Sequence, residues 1–175
     1  MAVFENDTDY TDGDGRPPHC VEVLLFDGDP AAIPDNDIAQ TIADVIAGGV
    51  ATYGNTTGTA QVVNGDATAP KTVNFSRAVS KDVYLEFDIE QGDGYPGDAA
   101  LKEYIASEAN KKHRPDVDVA WSLLVALAFG LGGVAKCTQL RLGFSSSPSA
   151  HETDLTIDLR EIARFSTDNI VITSS

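Results

Sequence analysis

Two periods of apolar residues alternate along this chain, and they divide it into short strands and helices. Val3-Phe4 makes an extended start, and the Asp, Gly and Pro of DTDYTDGDGRPP mark a loop or wide turn after it. His19–Asp27 (HCVEVLLFD) is apolar and β-branched enough for a strand, which Asp27-Gly28-Asp29-Pro30 ends. Ile38, Ile42, Val45 and Ile46 then recur at helical spacing. Asp35-Asn36-Asp37 offer N-caps for that helix, and Gly48-Gly49 a left-handed stop. Between Gly48 and Arg77, Gly, Asn and Thr are broken by short strand patterns at Val50–Tyr53, Thr59–Val63 and Lys71–Phe75.

The second half is more regular. Val83, Leu85, Phe87 and Ile89 alternate with polar residues, as in a half-buried strand. Asp98 caps a helix that runs to Lys112, with Leu101, Tyr104 and Ile105 on one face. Lys111, Lys112, His113 and Arg114 complement its C-terminal dipole, and Pro115 stops it. Asp116 or Asp118 caps a third helix, VAWSLLVALAFGLGG, apolar nearly all round. A surface helix shows a polar face, so Trp121, Leu124, Leu127 and Phe129 belong to a core or to an interface with another chain. Val134–Phe144 is a strand, Ser145–Thr153 a polar hairpin loop, and Leu155, Ile157 and Leu159 a returning strand. Arg160–Phe165 reads as a helical turn and Asn169–Thr173 as a last strand. The expected class is α+β, in two small modules at 1–77 and 78–175. The C-terminal one runs β-α-α-β-β-(α)-β, two helices on a mostly antiparallel sheet.

Charge changes the picture more than composition does. The chain has 175 residues and a formal charge of −15. No basic stripe suits a phosphate backbone, so no nucleic-acid partner is expected. MAVFENDTD has neither the basic start nor the apolar core of a signal peptide. The longest apolar run, Val119–Leu131, falls short of the roughly 20 residues a membrane span needs. A soluble chain with no membrane insertion is the expectation.

Candidate chemistry is sparse. Asp7, Asp9, Asp12 and Asp14 invite a calcium reading, a small acidic binding module being the alternative function. Both EF-hand frames fail, however, with Thr11 and Asp12 or with Arg16 at positions the loop reserves for other residues. His19, His113 and His151 lie in different loops with no nucleophile beside them. Cys20 and Cys137 fall inside strand patterns and have no metal-ligand spacing. Gly130–Gly133 follows a helix, where a phosphate loop would open one. No catalytic residue, metal or cofactor is expected, and a hydrolase built from the scattered His and Asp has no support in their spacing.

Four stretches stand out in order: ENDTDYTDGDGRPPHCVEVLLFDGD (Glu5–Asp29), with its acidic turn and G-x-P-P-H; IAQTIADVIAGGVATYGNT (Ile38–Thr56), with Gly-Val-x-Thr-x-Gly; VNFSRA (Val73–Ala78); and the C-terminal run Asp118-Val119, GVAKCTQLRLG and DLTIDLREIARFSTDNIVI. Together they resemble the baseplate J-like family of contractile-tail phages and related injection machines. Ala78 stands where the family usually has Pro, and Ala47-Gly48 where it has Lys and Pro. The likeness covers the family's middle and C-terminal parts, which implies a fragment or a truncated gene product. It further implies a virion structural role: a baseplate wedge subunit, multimeric, made in the host cytoplasm, with other wedge and hub proteins as partners.

Overall fold

The computed structural model of the chain describes residues 1–28 and 31–175, apart from the side chain of Asn64. The expected turn at Asp27–Pro30 therefore lies partly outside the described residues. Two compact α+β units form, Met1–Val79 and Ser80–Ser175.

The first unit is a mixed sheet with one helix. It holds strands β1 (Ala2–Asn6), β2 (Cys20–Leu25), β3 (Ala51–Tyr53), β4 (Thr56–Asn64) and β5 (Ala67–Arg77) and helix α1 (Asp35–Val45). β1 pairs antiparallel with β2, whose other edge takes β3 and then β5 in parallel; β4 and β5 form a long hairpin. Alternation on β2 separates Cys20, Glu22 and Leu24, which are buried, from Val21, Val23 and Leu25, which are half-buried on the opposite face. α1 lies on the β4–β5 part of the sheet and closes a small core of Ile38, Ala39, Ile42, Ala60, Val73 and Phe75. Its approach depends on Gly58, where a Cβ would stand 2.4 Å from the Asp35 carbonyl oxygen and 2.6 Å from the Ala39 Cβ. Beyond Ala60, no described side chain from Gln61 to Pro70 is buried, so the hairpin end projects.

The second unit carries β6 (Val79–Gln91), α2 (Asp98–Lys112), α3 (Trp121–Gly130), β7 (Val134–Gly143), β8 (Ala150–His151) and β9 (Glu161–Ser174). Its sheet is ordered β8-β7-β6-β9. The β6–β7 and β7–β8 pairs are antiparallel. At the end of β9, Ser175 N–H donates to the Ile89 carbonyl while its own carbonyl accepts from Gln91 N–H, the pattern of a parallel pair. Val83, Leu85, Phe87 and Ile89 are all buried and carry the core against Leu101, Ile105, Leu124 and Leu127. Asn110 fastens α2 to β9 by bonding both the N–H and the carbonyl of Phe165.

Several local expectations are corrected. Arg160–Phe165 is not helical: Glu161 begins β9, because Ile162, Ala163 and Phe165 are buried and Asn110 fixes the backbone there. Leu155–Leu159 is not a strand; only Ala150–His151 pairs with β7, and Leu155 makes a single bridge to Val119. Asp116 and Asp118 do not cap α3. Its first N–H, on Trp121, is taken by Asp154 from another loop, while Asp118 accepts from Ile157 N–H. Neither does any side chain cap α1 or α2: Pro34 is the N-cap of α1, and Asn36 reaches Thr59 N–H instead, while Gly97 is the N-cap of α2 and Asp98 accepts from the Tyr95 and Ser174 hydroxyls. α1 stops at Val45, and that residue is 82 % exposed where the periodicity places it in the core. His113, read from the sequence as part of the basic end of α2, is buried beside Phe165 with its Nδ1 2.8 Å from the Ala109 carbonyl.

Candidate functional site

The acidic loop after β1 closes around a cation of its own. Asn6 is buried, and its amide reaches the carbonyls of Tyr10, Arg16 and Pro17 while its oxygen accepts from Thr8. Arg16 is thereby drawn inward. Its Nε meets Asp12 at 2.7 Å, one terminal nitrogen meets Asp14 at 2.5 Å, and the other lies 3.4 Å from buried Glu22. Its guanidinium also stands 5.2 Å from the centre of the Phe4 ring. A guanidinium takes the place among these carboxylates that a calcium ion would need. Asp9, the next acid, pairs with His19 at 3.0 Å. Among the described residues no group of three or more His, Cys, Asp and Glu is placed to hold a metal ion.

A second arginine does the same work at the end of β5. Arg77 bonds Asp27 through one terminal nitrogen, and Asp35 and the Ile33 carbonyl through its other donors. Burial pushes the Asp12 and Asp27 carboxyls up, but Arg16 and Arg77, together with backbone N–H donors, outweigh it and hold both below the ordinary carboxylate range. The two arginines are joined. Glu22 accepts from Arg16 and from Ser76 Oγ, Ser76 Oγ accepts from Asn55 N–H, and the Asn55 side chain accepts from Arg77 N–H. One chain of polar contacts thus links three of the stretches singled out in the sequence.

Other residues of those stretches are used in the same way. Thr52 Oγ1 accepts from Asn74 N–H at 2.9 Å. Gly54 lies flush on β5, where a Cβ would stand 2.0 Å from the Phe75 carbonyl carbon. Asp118 and Val119 both bond the Leu155–Ile157 segment.

The α3 candidates separate. Leu124 and Leu127 are buried with Ala128. Trp121 is half-buried, its indole N–H donating to the Leu140 carbonyl at 3.0 Å, and Phe129 is 42 % exposed beside Ser122 and Ala126. A recess of about 240 Å³ brings Trp121 together with Cys137, His151 and Glu152. Burial and the charge of Asp88 push the Cys137 thiol up, which keeps it protonated, whereas nucleophilic attack needs the thiolate. Cys20, inside the first sheet, is raised by burial as well, and then by Asp12. No helix among the described residues is long and apolar enough to cross a membrane.

What sequence reasoning missed is an apolar face. On the α1 side of the first sheet, Met1 and Val3 of the first strand's line and Val21 and Val23 of β2 are left beside the helix instead of beneath it. The signal was the alternation that puts Val3 of β1 and Val21 and Val23 of β2 on one face of the strand pair. No known family model matches the chain, and no curated protein matches it.

Proposed function

We propose that this chain is a structural component of a contractile-tail baseplate, a wedge subunit that acts through protein–protein interfaces and not through bond chemistry. One observation carries the reading: the polar residues on which the baseplate J-like resemblance rests are spent inside the fold. Arg16, Glu22, Asn55, Ser76 and Arg77 form one connected network, and Gly54 and Thr52 fit β3 to β5. Groups that bond one another across strands specify a shape. Groups that perform chemistry converge on a space where a substrate can stand.

The surface features suit such a role. A projecting hairpin end and an apolar sheet face are offered to partners, on a chain whose charge of −15 opposes association with copies of itself. Wedge and hub proteins are the partners in this reading, and the assembled virion tail is its location. Co-expression with the tail proteins encoded beside it tests this. A stable complex on gel filtration is expected; a chain that elutes alone in the presence of every one of them contradicts the proposal.

A further inference from the structure

The first sheet is covered over only half its width. α1 occupies the β4–β5 half, where Gly58 lets it touch the strands. The β1–β2 half of the same face carries Met1, Val3, Val21 and Val23, and the flank of α1 beside it carries Val45 and Ile46. Met1, Val3 and Val45 are 76 %, 58 % and 82 % exposed. Two adjoining recesses of about 300 and 400 Å³ run along this line and share Met1, Val23, Thr41 and Ile42.

We propose that this half-face seats one amphipathic helix of a partner protein, alongside α1, with an aliphatic stripe flanked by Lys or Arg. Width argues for a helix. Two strands present roughly 9.6 Å across, close to the roughly 10 Å diameter of one helix, so a single helix completes the layer that α1 begins. Charge argues for the basic flanks. The charged residues lining the recesses are Asp27 and Asp37, and Glu5 continues the exposed side of β1 beyond Val3. Asp27 is already paired with Arg77, which leaves Asp37 and Glu5 facing outward at the rim. Arg16, Lys71 and Arg77 are the only Lys or Arg before Val79, and both arginines sit inside ion pairs. A second copy would bring like charges to the same rim; a basic helix meets opposite ones.

The probe is a labelled synthetic helix of about 15 residues with Leu at i, i+3, i+4 and i+7 and Lys on both flanks, titrated with the full chain by fluorescence anisotropy. Saturable binding is expected, at least tenfold weaker for Val3→Asp and for Val45→Asp, and weaker again when Glu replaces the flanking Lys. Val171→Asp, on an exposed site of the second unit, is expected to leave it unchanged. Both test positions are exposed, so the fold should persist; Val45→Ser provides a milder variant, and circular dichroism checks each. Equal binding by all variants, indifference to the flanking charge, or no binding overturns the proposal. So does a concentration-dependent dimer that Val45→Asp abolishes, which would make the occupant a second copy. The inference depends on the baseplate reading only for the partner's origin: a chain absent from tails that still binds this peptide loses that reading and keeps this one.

Discussion

Arg16 shows how a charged residue can be structural. It lies almost out of water beside Glu22, which is fully buried, so removing it leaves a carboxylate stranded without its cation. Breaking such a pair costs about 3–5 kcal/mol, and urea unfolding of Arg16→Ala should show a loss of that size; Glu22→Gln, which keeps hydrogen-bonding atoms in place, should lose less. The same contacts set the response to acid. Asp12 and Asp27 are held below their unfolded values, so their stabilisation is complete above about pH 4 and is lost as the pH falls through the lower folded values. Unfolding midpoints should therefore drop on the acid side, even though protonation of the other carboxylates relieves repulsion, and Asp27→Asn should flatten that limb; identical limbs would contradict the assignment. Calcium should leave the melting temperature where an ionic-strength control leaves it, since a cation bound only by the native loop would raise it. The four aspartates of the loop were legible in the sequence. That a single arginine gathers two of them was not, because the fold of the loop depends on Asn6 and Glu22, outside the run.

At the scale of elements, the long periodic segments were legible and the short ones were not. β6 alternates as its sequence does, and α2 runs from Asp98 to Lys112 as its stripe and Pro115 indicate. Arg160–Phe165 carries a short apolar pattern that suits either a helix or a strand, and Asn110, far away in sequence, decides for the strand. The third helix is a mixed case. Leu124 and Leu127 are core, so Leu124→Ala should cost roughly 2–5 kcal/mol. Phe129 is 42 % exposed, and Phe129→Ala should cost less than Leu124→Ala does. Thermal denaturation of the two variants reads the difference; equal losses would mean that the exposed side of α3 is covered. Val45 failed for a related reason. Helical spacing placed it with Ile38 and Ile42, but α1 packs on the β4–β5 half of the sheet, so the last turn of that stripe borders the uncovered β1–β2 half.

For the whole molecule, the sequence indicated two α+β modules, 1–77 and 78–175. The compact units are Met1–Val79 and Ser80–Ser175, with β5 ending at Arg77 and β6 beginning at Val79. The open apolar face was less legible, because a half-covered sheet depends on where a helix lies and not on which residues it contains. A polar interior committed to shape, a projecting hairpin and an open apolar face all fit a part made to be joined to other parts. The most direct measurement is a reconstruction of contractile tails purified from the cells that encode this chain, with mass spectrometry of the same particles. The account expects the two units in repeated copies within the baseplate and the chain at a fixed ratio to the other wedge proteins. Intact, complete baseplates that contain no copy of it would contradict the account.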